Sequence, residues 1–119
     1  MKSNKLFFFE CHLAGRQYYD VDEVWDDLHV GMVLTLERER GNVHDHNAVQ
    51  VILDNGIDES TGEQERYLLG YIPSSKTEKI CSFLDMGWGD VFECRISKID
   101  PDQHFENQIR LTVKILQRK

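Results

Sequence analysis

Six short runs rich in aromatic and β-branched residues, parted by polar, Gly-bearing turns, limit what this chain can fold into. They are Lys5 to Ala14 (KLFFFECHLA), Met32 to Glu39, Ala48 to Leu53 (AVQVIL), Arg66 to Ile72 (RYLLGYI), Asp90 to Ile99 (DVFECRISKI) and Gln108 to Leu116 (QIRLTVKIL). In the last run Leu111, Val113 and Ile115 alternate with Arg110, Thr112 and Lys114, the period of a half-buried strand. No strand–helix–strand rhythm recurs, which argues against a parallel α/β sheet. The pattern predicts a mainly β protein: a small, strongly curved antiparallel barrel of about six strands with two short α-helices. The first run, with three consecutive Phe, is expected to be well buried.

The helices are placed by their own signals. In GRQYYDVDEVWDDL, Asp20 or Asp22 can cap a helix running to about Leu28, with Val24 and Leu28 one turn apart. Pro73 and Ser74 open a second, PSSKTEKICSFLDMG, in which Ile80, Phe83 and Leu84 recur at helical spacing and Gly87 supplies the stop. Gly70, inside a strand-like run, suggests a bulge or a close backbone approach. Asp54 to Glu65 (DNGIDESTGEQE) reads as an exposed hairpin connection.

With 119 residues the chain is read as one domain, 1–119, large enough to bury an ordinary core without a metal or disulfide staple. Its three cysteines, Cys11, Cys81 and Cys94, have no CxxC spacing and are read as reduced thiols. MKSNKLFFFE lacks a signal peptide's apolar core, and no apolar run is long enough to span a membrane, so an intracellular, cytoplasmic location is expected. The net charge of −7 opposes a general electrostatic grip on phosphates, and the acids are clustered in DVDEVWDD, Asp20 to Asp27. Any nucleic-acid contact must therefore be local and away from that segment.

Little in the sequence carries catalysis. His44 and His46 flank Asp45, and Cys11, His12 and His104 could be drawn in, but neither C-x2-C nor H-x3-H spacing exists. Exposed loop histidines are the simpler reading, and a metal-dependent hydrolase is the weakest of three candidates. No GxSxG elbow or GxxxxGK[ST] loop is present. Cys11 and His12, adjacent in a strand, point to opposite faces. No cofactor is expected. More informative are Tyr18 and Tyr19, Tyr71 beside Gly70, and Phe105. An adjacent Tyr pair should split, one ring into the core and one outward, where it could stack on a base.

Three stretches carry a family likeness: HLAGRQYY (His12 to Tyr19), GMVLTLERERGNVHDHNAVQV (Gly31 to Val51) and LGYIPSSKTEKICSFLDMG (Leu69 to Gly87). In order and spacing the chain resembles the HIRAN domain. NxxDxNAVxV is the most specific element. The resemblance implies an OB-like β-barrel without catalytic activity of its own. Some members are fused to SWI/SNF-type translocases that remodel stalled forks, where the domain captures the 3′ end of single-stranded DNA. Others stand alone or occur beside nucleases and helicases.

Carried over, the resemblance assigns Asp45 to the terminal 3′-hydroxyl and Tyr18 to the first wall. His44 takes the place of an aromatic that stacks on the end base, and Asn42 donates to phosphate or sugar. Tyr71 and Ser74 meet backbone phosphates, and Phe105 stacks on the next base. Three positions depart from the pattern. Gln17 stands where DNA-binding members have an Arg, Ser74 where they have a Lys, and His44 where they have a Tyr. Two lost cations should weaken phosphate contact and flatten its salt dependence, although His44, once protonated, would restore some attraction. These losses, with the acidic segment, make a protein-interaction adaptor for a helicase or nuclease the alternative to a 3′-end-binding module.

Read structurally, the loop RGNVHDHN explains itself. Gly41 can take a positive φ, while Asn42, Asp45 and Asn47 can bind loop N–H groups that no ladder satisfies.

Overall fold

The computed structural model describes residues 4–117; residues 1–3 and 118–119 of the expected 1–119 unit lie outside them. Six strands form: β1 (Lys5–His12), β2 (Val33–Arg38), β3 (Val49–Ile57), β4 (Gln64–Tyr71), β5 (Phe92–Ile99) and β6 (Ile109–Leu116). All pair antiparallel in one sheet, in the order β1-β6-β5-β2-β3-β4. Each falls within or beside a run where side-chain alternation and β-branched residues favour a pleated, half-buried strand. The hairpin between β3 and β4 is shorter than expected, because both strands extend into the polar 54–65 stretch.

The architecture is mainly β and OB-like, but the sheet is not closed into a barrel by continuous ladders. Its two edges, β1 and β4, meet just past β1, where Ala14 and Tyr71 exchange a pair of 2.9 Å N–H to C=O bonds. Asp20 adds a second tie: its N–H donates to the Leu68 carbonyl at 2.9 Å, and its carboxylate accepts from the Leu68 N–H at 3.1 Å. Neither of the expected caps, Asp20 or Asp22, closes the following helix with its side chain: Asp20 stitches residues 14–20 along β4, and Asp22 lies inside the helix. That seam explains Gly70. A Cβ there would lie 2.4 Å from the Ala14 carbonyl oxygen, and the register of β3 on β4 slips between Val51 and Ile52 opposite it.

Three α-helices replace the expected two. α1 (Val21–Val24) passes into a 3-10 turn at Trp25–Asp27, and Val24 and Leu28 are buried as their spacing predicts. The second helix is broken into α2 (Ser74–Thr77) and α3 (Cys81–Asp85). The buried Thr77 hydroxyl donates to the Ser74 carbonyl at 3.1 Å, and the N–H groups of Lys79 and Ile80 bond three residues back. Such local bonds compete with the i−4 ladder.

The core lies inside the curl of the sheet. Leu13, Leu69, Ile96, Ile109 and Leu111 are at most 1% exposed, joined by Val21 from α1 and Ile80 from between α2 and α3. Each such side chain contributes roughly 1.5–3 kcal/mol on burial. The first strand is not buried along its length: Phe9 and Cys11 are, but Leu6 and Phe7 face outward. β1 is an edge strand, so its first half has a sheet neighbour on one side only. The three cysteines are free and buried, and burial pushes the Cys11 thiol up to about 11. No helix among the described residues is long and apolar enough to cross a membrane.

Candidate functional site

The sheet seam and the 39–48 loop together enclose an open depression of about 330 Å³. That lies at the lower end of ligand-sized clefts, about 300–1,000 Å³. Ala14, Tyr19 and Tyr71 form one side; Asn42, His44 and Asp45 form the other; Pro73 and Ser74 close it.

The loop is built by its own amides. Gly41 turns the chain at φ 80°. Asn42 Oδ1 then accepts from the N–H groups of His44 (2.8 Å) and Asp45 (2.9 Å). Asp45 Oδ1 accepts from the Asn47 N–H at 2.9 Å, and the Ala48 N–H returns to the Asp45 carbonyl at 3.3 Å. Asp45 is thus half-buried and fixed by one carboxylate oxygen. Among the described residues no donor reaches the other oxygen. It is an acceptor without a protein partner, on a residue that lines the cleft.

Behind the loop sits Glu39, which the sequence reading did not single out. Its Oε1 accepts from Asn42 Nδ2 at 2.6 Å, and its Oε2 accepts from the Tyr71 hydroxyl at 2.6 Å and Gln50 Nε2 at 2.8 Å. One carboxylate therefore ties the loop to the aromatic wall. Burial, with the Glu39 bond second, pushes the Tyr71 hydroxyl above the usual tyrosine range. Sequence gave one faint signal, a Glu at a strand end three residues before an Asn. Its partner Tyr71 is 32 residues away, and no local pattern joins them.

The structure thus brings Asn42, His44, Asp45, Tyr71 and Ser74 to one cleft. It does not bring Gln17, Tyr18 or Phe105 there. Tyr19 supplies the wall expected of Tyr18, its ring 5.4 Å from that of Tyr71 and tilted by 59°. Neither Tyr enters the core: Tyr18 is 76% exposed and Tyr19 39%. The 3-10 turn at Arg16–Tyr18 explains this, since the period-2 alternation that would split the pair does not apply in it. Phe105 packs on a side chain of this chain instead of standing free. Arg16 is buried with its guanidinium 5.2 Å from the Phe105 ring and 5.1 Å from the Trp25 ring, and it pairs with Asp22 at 3.1 Å. The Gln17 side-chain oxygen is buried without a hydrogen-bond partner.

No Lys or Arg lines the cleft. The two arginines of the preceding ERERG stretch are engaged by Asp85 of α3, Arg38 at 2.7 Å and Arg40 at 3.1 Å. The Arg38 bond holds the Asp85 carboxyl below the usual carboxylate range. What remains is an uncharged aromatic wall facing a carboxylate and an imidazole. Such a cleft can accept a hydrogen bond from a hydroxyl and stack a flat ring. Among the described residues no three His, Cys, Asp or Glu side chains lie close enough to share a metal ion.

The HIRAN domain family matches residues 6–115. The chain belongs to the HIRAN domain family. Solved HIRAN-like structures share the fold. A protein from Lactobacillus plantarum superposes with a TM-score of 0.64 at 22% identity, covering 96% of this chain and 97% of that one. The HIRAN domain of human HLTF superposes with a TM-score of 0.58 at 16% identity, covering 98% of this chain and 82% of that one. No curated protein matches the chain. HIRAN domains are generally DNA-binding modules, which fits a cleft with stacking surfaces.

Proposed function

We propose that this HIRAN domain is a non-catalytic module that holds the 3′-hydroxyl end of single-stranded DNA, in repair or replication-fork processing. One observation carries the reading: Asp45 lines a cleft walled by Tyr19 and Tyr71, and only one of its two carboxylate oxygens is taken by a protein donor. A terminal hydroxyl can donate to the other oxygen, whereas a terminal phosphate would meet it charge against charge. The end base stacks on the exposed Tyr19 ring or on His44, which is exposed on the opposite wall. Backbone phosphates find no fixed cation in the cleft, so end recognition is weak in absolute terms and rests on shape and one hydrogen bond.

Labelled oligonucleotides ending in a 3′-hydroxyl or a 3′-phosphate, titrated against the protein at low salt, test this. The hydroxyl form should bind at least about 10-fold more tightly, the worth of one charge-assisted hydrogen bond of about 1.5 kcal/mol. Asp45→Asn should abolish most of that preference. Equal affinity for both ends in the wild type would remove end recognition.

A second reading, a protein-interaction adaptor for a helicase or nuclease, is favoured by a separate apolar depression of about 250 Å³ lined by Ser82, Phe83, Met86 and Trp88. Phe83, Met86 and Trp88 are all exposed there, and an exposed cluster of large apolar side chains marks an interaction surface where a single one would not. Co-purification of such an enzyme that survives nuclease treatment and is lost in Met86→Ser would support it. Retention of the enzyme by that variant would not.

A further inference from the structure

The charge of this protein is unevenly distributed over its sheet. The chain carries −7, yet β1, β5 and β6 hold Lys5, Arg95, Lys98, Arg110 and Lys114 against only Glu10 and Glu93. The other half-sheet, β2, β3 and β4, holds Glu37, Arg38, Asp54, Glu65 and Arg66 and is slightly acidic. The positive surplus sits on one surface. Cys11, Cys94, Ile96, Leu111 and Val113 point into the core, so Glu10, Glu93, Arg95, Arg110 and Lys114, which alternate with them, turn outward. Lys5 and Lys98 lie beyond register shifts in β1 and β5, which set them on the same side, opposite Leu116 and Arg110.

Part of this arrangement serves the fold, since Glu93 holds Lys5 and Arg95 and Glu10 holds Arg110, but the rest does not. Lys98 lies directly across the ladder from Arg110, and like charges in that position destabilise a sheet. Lys98 and Lys114 form no close ion pair among the described residues, although Lys114 lies across the ladder from Glu93, whose one carboxylate Lys5 and Arg95 share. Beside them is a depression of about 200 Å³ whose polar lining is Arg95, Ser97, Thr112 and Lys114, with one carboxylate, Glu93, that Lys5 and Arg95 already hold. The Ser97 hydroxyl there is buried without a hydrogen-bond partner. Cations and hydroxyls around an open hollow are the chemistry of phosphate contact.

The surface is continuous with the end-binding cleft. Leu13 is fully buried, so its neighbours His12 and Ala14 turn to the opposite side of the strand line. Ala14 lines the cleft, and His12 pairs with Arg110. From the cleft, β1 runs back along this surface for about 26 Å, eight residues at roughly 3.3 Å each.

We propose that the outward surface of β1, β6 and β5 is a second nucleic-acid contact, binding the phosphates of the strand behind the captured end. The inference rests on nucleic acid being the ligand of this chain, not on how the cleft reads the terminus. A polyanion there offsets the Lys98–Arg110 repulsion and supplies acceptors for Lys98 and Lys114. The acidic stretch from Asp20 to Asp27 of a second copy is the competing occupant.

The test compares oligothymidines with a free 3′-hydroxyl, a tetramer that fills only the cleft and a dodecamer that reaches along β1. For the wild type the dodecamer should bind at least about 10-fold more tightly at low salt. Its log K against log salt should be steeper by about 2, three contacts at ~0.7 each on a single strand. The double variant Lys98→Gln/Lys114→Gln should lose most of the dodecamer's gain and leave tetramer binding unchanged. Glu10→Gln, which frees Arg110 (2.8 Å from Glu10), should strengthen dodecamer binding and so separates charge from folding damage.

Tetramer binding with no gain from length overturns the second contact and leaves end recognition standing. Length-dependent binding lost in the double variant, without any preference for a 3′-hydroxyl, supports the surface and overturns the cleft reading. Failure of both oligomers to bind overturns both. A wild-type dimer, seen by sedimentation and abolished in the double variant, assigns the surface to a second copy and overturns the proposal.

Discussion

The Tyr71 hydroxyl donates to Glu39 Oε2 at 2.6 Å, and the other oxygen of the same carboxylate receives Asn42 Nδ2 at 2.6 Å. The aromatic wall of the cleft and the loop that carries Asp45 are therefore held by one side chain. Removing either partner should have different and separable effects.

Glu39→Ala strands three donors in a half-buried position and should cost about 2–3 kcal/mol. Tyr71→Phe removes one bond but keeps the ring and should cost only about 1 kcal/mol. Urea unfolding of the two variants checks the ranking. Equal costs would show that Glu39 is not the hub of the network.

Asn42→Ala removes the acceptor that binds the His44 and Asp45 N–H groups. Global stability should fall by about 1–2 kcal/mol, and amide exchange should quicken selectively across 43–47. Asn42→Asp keeps that acceptor but sets a carboxylate against Glu39, so it too should destabilise, and more at neutral pH than near pH 4. Unchanged exchange in Asn42→Ala would mean that the loop does not depend on this side chain.

Gly70→Ala places a methyl 2.4 Å from the Ala14 carbonyl oxygen. Backbone, not a movable side chain, must give way. The expected loss is about 1–3 kcal/mol, with the Ala14 and Tyr71 amides losing exchange protection as the seam opens. A wild-type melting temperature in this variant would contradict the close approach.

Glu93 accepts from Arg95 at 2.9 Å and from Lys5 at 2.8 Å. The Arg95 bond first, and then Lys5, hold its carboxyl down to about 2, against 4.5 ordinarily. A carboxyl lowered on folding stabilises above its unfolded value. Its contribution is fully present above about pH 4.5 and is lost as pH falls from there through 2. Glu93→Gln should therefore flatten the pH dependence of stability between those limits. A parallel curve would show that the two cations do not act on Glu93.

Strand positions were legible because the chemistry that makes a strand is local. The period-2 alternation of Ile109 to Leu116, the β-branched run at Val49 to Leu53 and the turn glycines each act over a few residues. The loop was legible for the same reason: Asn42, Asp45 and Asn47 satisfy amides two or three positions away. Gly70 announced a close approach, though not which backbone approached it. The broken second helix was less visible, because its interruption is written only in local bonds: the Thr77 hydroxyl to the Ser74 carbonyl and the Lys79 and Ile80 N–H groups to carbonyls three residues back.

Sequence by itself thus determined the strands, the Asx-braced loop and the family, all written in local spacing. Tertiary structure alone decided which Tyr walls the cleft, that Phe105 packs on Arg16, that Glu39 joins loop to wall, and that positive charge gathers on the β1–β6–β5 surface. Those relations join residues tens of positions apart. They are set by how the sheet curls and where its edges meet, and neither periodicity nor propensity along the chain encodes that distance.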